Sequence, residues 1–522
     1  MKRTEKSFVL ILLFMLIGIV LTRFLVLTHE MDHHPDEGIF YDAASSLKDH
    51  FLHGTEYQEI KEYPEGAYVF QMPFHLLAEC FPSVQNAQLW GRIASVFYFC
   101  VACVIGCLIL RRFLCCGSKA LLFYALIMIF SLLHIEQSRY GTGESISFFL
   151  LMLLLYATSC ALTAKYDVPW LMLSGLCVGA LGAVKYPQVY FVLIPFAAIF
   201  LQQRPKTSRI LIVLGCVIGS VLMFSPKAAK DLMYFIRVCE IEMDAYVHVG
   251  NTAEIGGKKN HIFALVVYHT LYSDFPLSLP ILLLAVIEQL RKQTSKQTPL
   301  GLLWQVFIPI IVAVFAGYNL FTATMFFRTL YPYFCICSLY IASIAGRILA
   351  QERWKRLVLY ALCSLMILRG GALLAVMTDH QAGERLKQVY QAQVCESDGT
   401  ILLGPGVYTK VEWPIFQQPV TKLQVNDLQE PLELKPGQAL LSATLTYARA
   451  GEYPFAIVNE PLENQIATWK AFRQANQQWK IFETYPKWIY QVFGYWVKSS
   501  TGSEYEFPLN ELYYRPPETS IP

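Results

Sequence analysis

Charge is what this chain has least of. Only 16% of its 522 residues are Asp, Glu, Lys or Arg, where an ordinary soluble domain carries about 25%. That shortage excludes disorder, a coiled coil and a string of water-facing domains. An excess of one sign is lacking too. The net charge is +3, too balanced to mark a nucleic-acid partner. There is no internal repeat and no low-complexity tract. Cysteine is not scarce, at 14 residues, but no spacing resembles a metal knuckle or a disulfide framework. Cys100, Cys103, Cys107, Cys160, Cys177, Cys216, Cys335, Cys337 and Cys363 fall inside apolar runs, where a thiol behaves as a small hydrophobe.

What the chain has instead is apolar length. Hydrophobic residues make up 55% of it, with 34 Phe and 30 Tyr, and long apolar runs fill most of the sequence up to Met377, as in a membrane protein. The first run, Ser7 to Leu27, follows Lys2, Arg3 and Lys6. It is too long for a signal-peptide core of about 7 to 15 residues and lacks a small-residue cleavage site, so it predicts a retained anchor. Further spans are predicted at Arg92 to Leu110, Ala120 to Glu136, Ile146 to Thr163, Pro169 to Val184, Pro187 to Leu201 and Ile210 to Ser225. Pro276 to Gln289, Leu300 to Tyr318, Leu330 to Gly346 and Leu357 to Met377 follow, for a total of about 11 spans.

Basic residues set the predicted orientation, because Lys and Arg are retained on the cytoplasmic side. Clusters occur at Lys2/Arg3/Lys6, Arg111/Arg112/Lys119, Arg204/Lys206/Arg209, Arg291/Lys292/Lys296 and Arg347/Arg353/Lys355/Arg356. The N-terminus is therefore expected in the cytoplasm, and two long loops, residues 28–89 and 226–275, outside. After Thr378 polar residues interleave with β-prone runs at Ile401 to Leu403, Ala439 to Tyr447 and Phe455 to Val458, while Glu463 to Phe482 has a loosely helical spacing. The expected organisation is a transmembrane domain over residues 1–377 and a small extracytoplasmic α/β domain over 378–522.

The densest chemistry opens the first outer loop, Asp32-His33-His34-Pro35-Asp36-Glu37-Gly38. Partial burial at the membrane boundary raises a carboxylate's basicity and suits a general base. Two other readings compete: a plain helix start with Pro35 in its first turn, and a divalent-metal site on His33, His34 and Asp36. A second cluster runs from His134 through Glu136, Arg139 and Tyr140 to Glu144. Ionisable groups at membrane depth are costly and are usually kept for partners or function; here an Arg139 pair with Glu136 or Glu144 is the structural alternative. Lys185-Tyr186-Pro187 and Arg328, just before Leu330-Tyr331-Pro332, add cations on the same predicted side, with snorkelling to lipid as the alternative.

Taken in order, these segments resemble the polytopic GT-C glycosyltransferases that use polyprenyl-phosphate sugars, the protein mannosyltransferase-like and aminoarabinose-transferase-like branch. The resemblance rests on His34-Pro35-Asp36-Glu37 after the first span, Gly91-Arg92, Ser138-Arg139-Tyr140 with Glu144, Gly182 to Pro187, and Phe327-Arg328-Thr329-Leu330-Tyr331-Pro332. It covers roughly residues 1 to 377 and departs from the family at Tyr63-Pro64-Glu65-Gly66, where many members have a Pro-Pro-Leu-like step. It implies sugar transfer from a lipid monophosphate to a glycan, lipid or protein acceptor at the outer face of the plasma membrane. Under that reading Asp36 is the base and Glu37 positions the acceptor or loop. Arg139, Lys185 and Arg328 meet the phosphate, with Glu144, Tyr186 and His248 beside donor phosphate and sugar, and His34 and Glu65 serve the acceptor or the loop. No cofactor is implied, and a divalent metal is left open. A flippase or transporter of a lipid-linked sugar is the rival reading, although transporters tend to show internal repeats and broken paired spans.

Overall fold

In the computed structural model the described residues are 3–27, 37–55, 65–81, 87–231 with isolated positions to 240, 298–321, 327–349, 353–377, 380–394, 401–403, 420–422, 434–443, 471–484 and 510–517. They fall into two compact units, divided between Gly371 and Ala372.

The first unit is helical. Its opening elements are α1 (Arg3–Leu27), α2 (Glu37–His53), α3 (Gly66–Ala78), α4 (Ala87–Arg112), α5 (Ser118–Phe130), α6 (Leu132–Arg139), α7 (Glu144–Thr163) and α8 (Val168–Val184). A 3₁₀ stretch, Tyr186–Val192, leads into α9 (Leu193–Leu201), α10 (Lys206–Phe224) and α11 (Pro226–Lys230). In the next described segments come α12 (Pro299–Leu302), a π turn at Leu303–Phe307, α13 (Ile308–Phe321), α14 (Phe327–Ile348) and α15 (Arg353–Met377), whose last residues, from Ala372, belong to the second unit. Four described helices are long and apolar enough to cross a membrane: Glu5–Phe24, Gln88–Arg112, Glu144–Thr163 and Lys206–Phe224. The bent pair Ser118–Phe130 and Leu133–Arg139 adds a fifth if it counts as one span, and Val168–Val184, Tyr186–Leu201 and Pro299–Val314 are shorter apolar helices. Except for Pro276 to Gln289, which lies outside the described residues, every predicted span falls on helical chain, and the span Ala120 to Glu136 is corrected to two helices broken at Ser131.

Helix α1 leaves Leu10, Ile17, Leu21 and Phe24 exposed, as suits a helix whose outer face meets lipid. Helix α8 is apolar and mostly buried between α7 and α10. Its close contact with α10 depends on Gly175 and Gly179: a Cβ at Gly175 would lie 2.7 Å from the Val213 carbonyl oxygen, so only a missing side chain lets the backbones meet. At the α7–α8 turn, Asp167 is gripped by Arg209, with Nε to Oδ2 at 2.5 Å, and by Arg204 at 2.7 Å. The Arg209 hydrogen bond holds the Asp167 carboxyl below its ordinary range.

The second unit contains α16 (His380–Gln393) and a five-stranded sheet of order β2-β1-β3-β5-β4. Strand β1 (Ile401–Leu403) is parallel to β2 (Val420–Lys422) and β3 (Ala439–Ala443), whereas β5 (Asn510–Tyr514) runs antiparallel to β3 and β4 (Lys480–Thr484). Leu440, Leu512, Tyr513 and Phe472 are buried there. The helix expected up to Phe482 is corrected. Residues 471–475 are helical, Gln477–Trp479 forms a 3₁₀ turn, and the chain then becomes β4, because pairing with β5 outweighs a weak helical period. The predicted run Phe455 to Val458 lies outside the described residues.

Candidate active site

Several helix ends meet at one end of the first unit. Glu65 precedes α3, is 1% exposed, and accepts a hydrogen bond of 2.9 Å from the hydroxyl of Ser225, the residue that closes α10. Gly66 lies against the last turn of α8: a Cβ there would sit 2.6 Å from the Ala183 carbonyl carbon. Glu65 and Lys185 are each within two residues of this contact. The start of α3 and the ends of α8 and α10 are thereby fastened together.

Lys185 leaves α8 in an extended conformation, φ −150° and ψ 111°. Pro187 then stands in the first turn of the 3₁₀ stretch, where its missing N–H costs nothing. The Lys185 Nζ meets Glu144 Oε1 at 2.5 Å, with side chains 25% and 4% exposed respectively. Each charge also suits its helix end, Glu144 in the first turn of α7 and Lys185 after the last turn of α8. Arg139 ends α6. Its guanidinium carbon lies 4.3 Å from the centroid of the Tyr140 ring, and Nη2 donates to the Tyr140 hydroxyl. The turn between Arg139 and Glu144 is tied to α3 by Gln71, whose amide donates to the Gly141 carbonyl at 2.7 Å.

Of the predicted site residues, the fold brings Glu65, Arg139, Glu144, Lys185 and the buried Tyr186 to this end. His34, Asp36 and His248 lie outside the described residues, as do the side chains of Glu37 and Arg328. Glu37 opens α2, and Arg328 stands in the first turn of α14; Pro35 lies outside the described residues. Among the described residues no three His, Cys, Asp or Glu side chains gather as a metal site; His33, His34 and Asp36 are not among them. The sequence reading missed Gln71 and Ser225, which carry no charge to mark them, and Arg23, a fully buried side chain in α1. A lone Arg inside an apolar run was the available signal for Arg23.

No protein-family model and no curated protein matches the sequence, whereas solved structures do. The oligosaccharyltransferase of Archaeoglobus fulgidus, in complex with Zn and sulfate, matches with a TM-score of 0.52 at 10% identity, over 91% of this chain and 71% of that one. AglB from the same organism, in complex with an inhibitory peptide and a dolichol-phosphate, gives 0.47 at 11% identity over 77% of this chain. This chain covers 63% of that AglB chain, less than two thirds of its length. ArnT from Cupriavidus metallidurans, bound to undecaprenyl phosphate, gives 0.48 at 12% identity over 85% of this chain and 94% of that one. The first match defines the class of fold: a polytopic helical membrane protein built like the archaeal oligosaccharyltransferase. A polytopic helical membrane protein is also what the apolar runs predict.

Proposed function

We propose that this chain is a GT-C membrane glycosyltransferase that moves a sugar from a polyprenyl-phosphate carrier to a glycan, lipid or protein acceptor at the outer face of the plasma membrane. The observation that carries the reading is the gathering of Glu65, Arg139, Glu144 and Lys185 on the ends of α3, α6, α7 and α8. Charges at the ends of spans suit a lipid phosphate held at the membrane boundary, whereas transporters bind substrate near the midplane. The fold shared with an oligosaccharyltransferase supports the same class. The AglB and ArnT structures contain a dolichol-phosphate and undecaprenyl phosphate.

In the proposed reaction an acceptor hydroxyl attacks the anomeric carbon of the sugar. The bond from that carbon to the phosphate oxygen breaks, its electron pair stays on the departing lipid phosphate, and the hydroxyl proton passes to Asp36. Arg139, Lys185 and Arg328 offset the charge that grows on the phosphate. Glu144 aims the Lys185 ammonium, Glu37 positions the acceptor loop, and His34 and Glu65 border the acceptor path, with Tyr186 and His248 on the donor side. The accompanying organisation is a transmembrane domain over 1–377 with about 11 spans, a cytoplasmic N-terminus, and an extracytoplasmic α/β domain over 378–522.

The test is a mass spectrum of envelope glycans and glycolipids with and without the chain. The expected result is the loss of one sugar from one product. An unchanged glycan set with a shifted transbilayer distribution of a lipid-linked sugar would favour the flippase instead.

A further inference from the structure

We infer that Arg23 is a positioning residue that locks the broken α5–α6 span and so sets the turn bearing Arg139. The break lies at Ser131, which leaves the helix at φ −62° and ψ 126° and caps α6 through a hydrogen bond from the His134 amide. The two halves meet at 63°. A break inside an apolar bundle strands the last carbonyls of the first half, and Arg23 reaches them. Its Nη2 donates to the Met128 carbonyl at 2.8 Å and its Nη1 to the Ile129 carbonyl at 2.7 Å. The same guanidinium turns its Nε to the hydroxyl of Ser138 in α6, at 2.8 Å. One rigid, planar side chain therefore grips both sides of the break, and it is wholly buried.

The grip continues to α14. Ser138 Oγ also donates to the His134 carbonyl at 2.5 Å, and the His134 ring meets the Tyr331 hydroxyl at 3.0 Å through Nδ1 and the Ser338 hydroxyl at 3.3 Å through Nε2. Arg139 follows Ser138 directly, and Arg328 precedes Tyr331 by one helical turn. The network thus has next to it both of these proposed phosphate-binding cations. Helix α6 is eight residues long, too short to hold its own direction. Without the Arg23 grip, α5 and α6 lose their fixed angle, and Arg139 loses its place.

The identity of the ligand rests on the proposed function; the locking does not. The test uses full-length protein in nanodiscs, as wild type, Arg23→Lys, Arg23→Met and Ser138→Ala. Hydrogen exchange of amides 132–143 is measured together with binding of undecaprenyl phosphate by native mass spectrometry. A lysine keeps the charge but not the fork, so Arg23→Lys should speed exchange in 132–143 while α8 and α10 stay unchanged, and should weaken phosphate binding by about tenfold. Ser138→Ala, the milder change, should move both readouts in the same direction. The KM for the lipid-linked donor should rise more than the KM for acceptor. Unchanged exchange in 132–143, equal loosening of the whole bundle, or local loosening with unaltered phosphate binding would each overturn the inference. A wild type that neither binds undecaprenyl phosphate nor transfers sugar contradicts the proposed function, and the exchange comparison then decides the locking alone.

Discussion

Lys185 and Glu144 form the contact on which the candidate site most visibly turns. A charge pair this far out of water recovers its desolvation cost only while both partners are present. Removing one side should therefore be worse for stability than removing both. Glu144→Ala should lower the thermal midpoint more than Glu144→Ala with Lys185→Ala, a difference read by a double-mutant cycle; additive losses would make the contact incidental. Lys185→Ala alone should weaken binding of undecaprenyl phosphate by about tenfold or more, because the charge-assisted contact to phosphate proposed for it goes with it. Asp36→Asn keeps the shape and removes the proposed base, so transfer should fall roughly 100-fold to 10,000-fold while the donor still binds. Near-normal transfer by this variant would move the base elsewhere, with Glu65 and Glu144 the next carboxylates. Glu144, Lys185 and Arg139 were legible in the sequence because ionisable residues stand out against apolar runs. Arg23 lies inside the first run, where the apolar reading hides it, yet it donates to Ser138, Thr22, Ile129 and Met128.

Helices follow apolar length, and that is why the spans could be read from sequence while their interruptions could not. The break at Ser131 is set by tertiary partners, the guanidinium of Arg23 above all, and a run from Ala120 to Glu136 carries no Pro or Gly to announce it. The same limit applies at Lys480–Thr484, where a distant partner strand decides between helix and sheet. Helix α3 gives a pH-dependent consequence. His75 is 3% exposed, and burial, aided by Lys48, pushes its pKa down to about 4. The folded state therefore holds this imidazole neutral, whereas the unfolded chain protonates it near about 6.5. Its contribution is complete above that value and is lost as pH falls toward 4, by about 3 kcal/mol at most. Asp167, whose carboxyl is held below its ordinary 3.8, gives way only at still lower pH. The thermal midpoint should drop between pH 7.5 and 5, and His75→Gln should flatten that drop; an equal drop in the variant would assign it to other groups.

At the scale of the molecule, the alternation of basic clusters makes a claim about sidedness that the helices alone do not make. Glu79, which is 51% exposed at its side chain, and Lys435, exposed in the second unit, should both lie outside. Cysteines placed there, in a background without the exposed Cys80 and Cys115, should react with an impermeant thiol reagent on whole cells. Protection of either would reverse the assigned face. The fold class was legible because apolar runs and short charged motifs recur in a fixed order. The sheet of the second unit was legible only in pieces, since three-residue strands such as Ile401–Leu403 and Val420–Lys422 depend on partners far away in sequence. The central claim is bond breaking rather than passage of an intact lipid. It is tested most directly by giving the purified chain, in nanodiscs, a set of polyprenyl-phosphate sugars with an extract of its own envelope acceptors and following both halves of the donor. The account predicts free polyprenyl phosphate and glycosylated acceptor in equal amounts, both abolished in Asp36→Asn. Intact donor that crosses the bilayer with no phosphate released would contradict it.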